Sequence, residues 1–78
     1  MLYLLVLERN EVMKMKSYSS REIKAILEAN GWYVVNIEGD HWQFKHPTIK
    51  GKITLTHPVK DVSIWVLRDI MKKSGLKF

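Results

Sequence analysis

The chain contains no cysteine, only two prolines, and no apolar run long enough to cross a bilayer. The absence of cysteine excludes a disulfide framework and a thiolate zinc site, and it is typical of proteins in the reducing cytosol. The apolar segment at residues 1–7 is too short for a transmembrane helix. It also lacks the basic start and the small-residue cleavage site of a signal peptide. We therefore expect a cytoplasmic protein that does not bind membranes.

Acidic residues are also scarce: the chain has 8 acidic and 13 basic residues, which gives a net charge of +5. A positive bias in so small a protein favours nucleic acid or an acidic protein as the partner, although a lysine-rich soluble surface gives the same balance. The 78 residues suffice for one domain. A domain of this size buries only about 60% of its unfolded surface, so a partner subunit could add to its stability.

The chain divides into a short N-terminal segment, 1–14, and a domain over 15–78. Residues 8–11 are polar, and Met13 and Met15 follow them, directly before the first helix signal. One interpretation is an N-terminal extension upstream of the natural start, which would then be Met13 or Met15. The other is an extra strand or a partner-binding segment.

A helix is predicted over residues 20–30. Ser19 and Glu22 have the spacing of a capping box, and Tyr18 and Ile23 occupy the two positions of a hydrophobic staple. The apolar residues that follow are spaced as on one helical face. Gly31 is suited to the left-handed conformation that ends many helices.

Three strands and a second helix are predicted after this point, over 32–37, 41–46, 52–56 and 64–74. The strands alternate polar and apolar side chains and are separated by glycine-containing turns, which indicates an antiparallel meander. Ser63 can cap the second helix and Gly75 can end it. The sequence therefore predicts an α+β fold in which two helices cover the apolar face of a three-stranded sheet.

His41 is the strongest candidate for chemistry. The turn at Gly39 and Asp40 delivers it onto the first position of a strand, on the polar face that should remain open. Lys45 follows on the same face, and Lys52 is expected on the neighbouring strand. A histidine beside cations can move a proton while lysines offset the charge on an RNA phosphate, without metal or cofactor. The alternative is an ordinary surface histidine.

The other two histidines do not build a metal site with His41. His46 lies an odd number of residues along the strand and should point to the opposite, apolar face, where it can bond a turn carbonyl. His57 closes the third strand, where it could contact a phosphate near the sheet edge. No cysteine and no helical pair of histidines is present. Trp65 lies off the apolar stripe of the second helix and is a candidate contact for RNA or a partner.

Several segments, taken in order and spacing, resemble the HicA toxin family. They are 19–23 (Ser-Ser-Arg-Glu-Ile), 30–33 (Asn-Gly-Trp-Tyr), 39–47 (Gly-Asp-His-Trp-Gln-Phe-Lys-His-Pro), 51–55 (Gly-Lys-Ile-Thr-Leu) and 72–76 (Lys-Lys-Ser-Gly-Leu). The resemblance extends over nearly all of residues 16–77. It does not include residues 1–14, which supports their interpretation as an upstream extension.

The resemblance implies a toxin of a type II toxin–antitoxin pair, an mRNA interferase with a fold similar to double-stranded-RNA-binding domains, α-β-β-β-α. It further implies that His41 is the catalytic residue and that a HicB-type antitoxin covers it. Asp40 stands where the family commonly has serine, Thr56 where it tends to have proline, and Trp65 and Val66 where it commonly has Gly-Thr.

Two alternatives differ in class from a ribonuclease. One is a non-catalytic RNA-binding module, against which stands the low positive charge at residues 61–65, the start of the second helix. The other is a degenerate toxin, inactivated by Asp40, that acts only as an antitoxin-binding partner.

Overall fold

The computed structural model describes residues 17–78. The predicted N-terminal extension and both candidate start residues, Met13 and Met15, lie outside these residues. The order of elements is α1 (Ser20–Ala29), β1 (Tyr33–Glu38), β2 (His41–Lys45), β3 (Ile53–Thr56) and α2 (Ile64–Ser74). The predicted α-β-β-β-α architecture is confirmed, and the observed bounds differ from the predicted ones by one residue at most.

Both helices begin at the serine caps that the sequence indicates. Ser19 accepts a hydrogen bond from the backbone N–H of Glu22, whose side chain in turn accepts one from the Ser19 backbone. Ser63 caps α2 through the backbone N–H of Val66, and Gly75 ends this helix in the left-handed conformation at φ 75°. These caps satisfy backbone groups that a helix leaves unpaired at its ends. None of the helices in the described part of the chain could cross a membrane.

The sheet is an antiparallel meander with β2 in the centre. Phe44 in β2 lies between Val34 in β1 and Ile53 in β3, on the face that the helices cover. The pairing of β1 with β2 shifts between Val34 and Asn36, so that Val35 forms a bulge. The alternation of β2 thus puts Phe44 inside and the neighbouring polar residues outside.

The core lies between the helices and one face of the sheet. Its centre is Phe44, which is fully buried. The other buried apolar residues come from both helices, from β3 and from the position directly before β1: Ile23, Leu27, Trp32, Ile53, Leu55, Leu67 and Ile70. Complete burial of eight apolar side chains, at about 1.5–3 kcal/mol each, is the main favourable contribution to the free energy of folding of this domain.

Candidate active site on the open sheet face

The turn between β1 and β2 positions His41. Gly39 has a φ of +58°, a conformation that costs a non-glycine residue about 1–2 kcal/mol, and nothing lies within 4 Å of a Cβ built on it. His41 then starts β2, paired with Glu38 on one side and Thr56 on the other. Its side chain is 59% exposed. A rigid strand therefore presents an accessible imidazole on the sheet face away from the helices.

Carboxylates are the charged groups nearest to His41, which differs from the predicted cationic surroundings. Asp40 Oδ1 lies 3.5 Å from His41 Nε2, an electrostatic contact that is too long for a good hydrogen bond. Glu38 faces His41 across the β1–β2 pair and accepts a hydrogen bond of 3.0 Å from Asn36 Nδ2. The imidazole therefore has negative charge beside it and on its β1 side.

The two predicted lysines lie at the other end of the same face. Lys45 is the last residue of β2, four positions and about 13 Å along the strand from His41. Lys52 directly precedes β3, next to the pair formed by Phe44 and Ile53. Both are exposed. The structure therefore brings Lys45 and Lys52 together, but places them a strand's length away from His41.

A cleft of about 390 Å³ opens beside these lysines. We call it the loop cleft. It is lined by the end of β2 and the β2–β3 loop: Lys45, His46, Pro47, Thr48, Ile49, Lys50 and Gly51.

His46 holds this loop to α1. Its Nε2–H donates to the carbonyl of Asn30 at 3.0 Å, while Nδ1 accepts from the backbone N–H groups of Thr48 at 3.1 Å and Ile49 at 3.3 Å. The ring also packs edge-on against Trp32, with centroids 5.2 Å apart. The prediction that His46 points away from His41 and bonds a carbonyl is confirmed, and every polar atom of its ring is engaged in structure.

His57 lies on the helix side of the sheet. Its Nδ1 is 2.7 Å from Ser20 Oγ, and its ring packs edge-on against Trp42 with centroids 4.9 Å apart. Ser20 is fully buried and its hydroxyl also accepts from the Val59 N–H at 2.7 Å, so it has no access to a substrate. His57 is thus not brought to the open face with His41, and only its Nε2 has no bonding partner among residues 17–78.

Within the described residues, the open face combines one accessible imidazole with a separate group of cations. No three histidine or carboxylate side chains of residues 17–78 are arranged to hold a metal ion. An imidazole can accept or supply a proton near neutral pH, and lysines can bind phosphate, so the face is suited to a phosphodiester substrate.

Two features of the site were not predicted from the sequence. Glu38 opposite His41 could have been found, because a two-residue turn at Gly39 and Asp40 pairs its flanking residues directly. The contact between Ser20 and His57 joins residues 37 positions apart and has no local signal.

Trp65 is 73% exposed, as its position off the apolar stripe predicted. Arg68 lies over its ring, 5.6 Å from the centroid. This contact occupies part of the aromatic surface but leaves the residue accessible.

Comparison with known proteins identifies the family. The family model for the HicA toxin of bacterial toxin–antitoxin pairs matches residues 20–76, well over half of the chain. A search of curated proteins finds no match. The matched region runs from the first residue of α1 to just beyond α2 and includes the turn that carries His41. The chain therefore belongs to the HicA family of toxins, and this membership implies an antitoxin as its partner.

Proposed function

We propose that this protein is a cytoplasmic endoribonuclease that cleaves mRNA with His41 and is inhibited by a HicB-type antitoxin. Membership of the toxin family supports the biological role. The observation that carries the catalytic assignment is the position of His41. It follows a turn in which Gly39 has a positive φ, begins the central strand and exposes its imidazole on the open face.

The reaction uses the 2′-hydroxyl of the substrate as the nucleophile. The 2′-oxygen attacks the adjacent phosphorus, the bond to the 5′-oxygen breaks, and the products end in a 2′,3′-cyclic phosphate and a 5′-hydroxyl. One proton leaves the 2′-hydroxyl and one is delivered to the 5′-oxygen. His41 performs one of these transfers, and general acid–base help of this kind contributes about 10²–10⁴ in rate. Such a step needs neither metal nor cofactor.

Lys45 and Lys52 bind phosphates of the substrate in this proposal. Their distance from His41 suits phosphates that flank the cleaved one. Their main contribution is therefore to position the RNA so that the scissile phosphate lies at His41. The prediction that His57 contacts phosphate rests on its Nε2, which can reach only RNA that passes the end of the sheet. Gly39 and Asp40 position the imidazole.

The test is to compare the purified chain, free of antitoxin, with His41→Ala on a defined mRNA. Because His41 is exposed, the substitution should leave the free energy of unfolding within about 0.5 kcal/mol. We expect the wild type to cut and His41→Ala to lose at least about 10²-fold in rate. Lys72→Ala, at an exposed position of α2 away from the open face, is the control. Equal cutting by wild type and His41→Ala, or no cutting by either, contradicts the proposal.

The proton that His41 moves can be assigned with a modified substrate. A 5′-bridging sulfur makes a leaving group that needs no proton. If His41 is the acid, His41→Ala should cleave this RNA about as fast as the wild type does. If His41 is the base that activates the 2′-hydroxyl, the defect should persist on the sulfur substrate.

A second candidate function has its own supporting observation, the carboxylate of Asp40 beside the imidazole. A negative charge next to the bound phosphate disfavours substrate, so the chain could be a degenerate toxin that only binds its antitoxin. An RNA-binding module without cleavage is the related alternative. Growth arrest on expression distinguishes the enzyme from both, since a degenerate toxin or a binding module would not produce arrest that depends on His41.

The antitoxin is expected to cover the open face. This face carries the exposed side chains of His41 and Lys45, and its lysine end would attract an acidic partner surface. Binding of the antitoxin should therefore compete with RNA and protect His41 from modification by diethyl pyrocarbonate. An antitoxin complex in which His41 stays reactive and RNA still binds would contradict this arrangement.

A further inference from the structure

We infer that the loop cleft is a phosphate subsite that receives a single-stranded part of the RNA flanking the scissile bond. The inference rests on the proposed function and extends it in two respects. It assigns Lys50 and the loop backbone to substrate binding. It also states that the part of the RNA bound in the loop cleft is single-stranded.

The shape of the loop cleft is fixed before any ligand binds. His46 engages the loop through Thr48 and Ile49 and ties it to Asn30 at the end of α1. Its ring is further held by Trp32, which is buried. A loop organised around a side chain that is itself anchored in the core loses little conformational freedom on binding, which favours affinity.

The charges around the loop cleft are unneutralised. Lys45 and Lys50 line it, and Lys52 follows directly after Gly51 at its edge. All three are exposed, and none has an ion-pair partner in the described part of the chain. By contrast, Lys24 and Lys73 pair with carboxylates at 3.0 Å. Three unpaired cations around a concave surface attract a polyanion such as the RNA backbone.

The charge pattern of the open face also indicates the path that the bound RNA follows. Glu38 and Asp40 put negative charge on the β1 side of His41, which disfavours phosphates there. The neutral Gln43 and Thr54 pair with each other between His41 and the lysines. RNA bound at His41 is therefore directed along β2 and β3 into the loop cleft. The distance of about 13 Å equals the rise of about four stacked nucleotides.

The width of the face favours one strand over a duplex. Three strands spaced about 4.8 Å apart span only about 10 Å between their outer axes. An RNA duplex is A-form, and domains that bind it contact about 16 base pairs, across two minor grooves and the phosphates between them. The basic part of the face is narrower still, because it involves only the β2–β3 side. A single polynucleotide strand fits this path, whereas a duplex would extend beyond it over the acidic β1 side.

The experiment measures binding without cleavage. In the His41→Ala background, we compare Lys45→Gln/Lys50→Gln with the control Lys72→Gln/Lys77→Gln, which removes the same charge from exposed lysines at α2 and the C-terminus. The probes are fluorescent single-stranded RNAs of about two and about eight nucleotides, chosen to end before or beyond the cleft, and a duplex form of the longer RNA. The salt dependence of the dissociation constant is the readout.

We expect the cleft variant to bind the longer RNA several-fold more weakly than the control variant does. The slope of log K against log salt should fall by about 0.7 for each lost phosphate contact. The short RNA should bind both variants equally. Equal loss in the cleft and control variants would overturn the inference, because it would mean that only net charge matters. Tighter binding of a duplex than of the single strand would overturn the single-strand assignment.

The experiments distinguish a failure of this inference from a failure of the proposed function. If the wild type cuts RNA but the cleft variant binds like the control, the subsite is wrong and the enzyme assignment stands. If the wild type does not cut but the cleft variant loses length-dependent binding, the subsite stands and the catalytic role of His41 is wrong.

Discussion

The hydroxyl of Ser20 and the ring of His57 lie 2.7 Å apart, across 37 positions of sequence, and join the start of α1 to the end of β3. Ser20 also accepts from the Val59 N–H at 2.7 Å and has its own hydroxyl 3.1 Å from the Val59 carbonyl. When His57 carries its proton on Nδ1, all three contacts are hydrogen bonds at once: Nδ1–H donates to Ser20, and Ser20 donates to Val59. This network lies beside the turn that carries His41, because the backbone N–H of His57 donates to the backbone carbonyl of Asp40 at 2.8 Å.

Ser20→Ala should therefore destabilise the fold. The change leaves the half-buried Val59 N–H without its acceptor, which costs about 1–3 kcal/mol. Urea denaturation measures the loss. The control is Ser63→Ala, which removes the exposed cap of α2 and should cost about 1 kcal/mol. A smaller loss for Ser20→Ala than for Ser63→Ala would show that the network is not a stabilising element.

Gly31→Ala should be more destabilising than Gly39→Ala, although both residues have positive φ. A Cβ on Gly31 would lie 2.8 Å from Nε2 of His46, whose ring is fixed by the loop and by Trp32. A Cβ on Gly39 meets nothing. Gly39→Ala should cost only the backbone strain of about 1–2 kcal/mol, and Gly31→Ala should cost about 1–3 kcal/mol more because of overpacking. Thermal melts compare the two, and equal melting temperatures would refute the steric argument.

Asp40→Ser should increase the affinity for RNA. The substitution removes a negative charge that lies 3.5 Å from Nε2 of His41, where the scissile phosphate is proposed to bind. We expect several-fold tighter binding at low salt and a smaller difference at high salt, because exposed charges are screened there. The measurement uses the His41→Ala background to prevent cleavage. Glu28→Gln, on the exposed side of α1, controls for net charge. If both substitutions strengthen binding equally, Asp40 has no local effect.

Trp65→Ala should leave the fold intact, whereas Trp32→Ala should not. Trp65 is 73% exposed, so its removal should change the free energy of unfolding by no more than about 0.5 kcal/mol. Trp32 is buried against the core, and its truncation should cost about 3–5 kcal/mol. A large loss of stability in Trp65→Ala would show that Trp65 packs in the free protein.

The helices and strands could be predicted from the sequence, because their signals are local. The caps at Ser19 and Ser63 lie within one turn of the groups they bond, and glycine tolerates the backbone at Gly75. Side chains alternate between the two faces of a strand, so the odd spacing of His41 and His46 was enough to predict that they point to opposite faces. The family membership likewise follows from the order of residues and needs no coordinates.

The contacts of His46 and His57 join distant residues, and sequence periodicity does not encode them. The bulge at Val35 shifts the pairing along the first part of β1, so that Tyr33 lies opposite Lys45. The loop cleft exists because His46 reaches the carbonyl of Asn30, and His57 faces the helices because Ser20 bonds it there. The sequence by itself thus determined the elements and the open face of His41. Only tertiary packing decided the partners of His46 and His57 and the position of the loop cleft, because those contacts join distant parts of the chain.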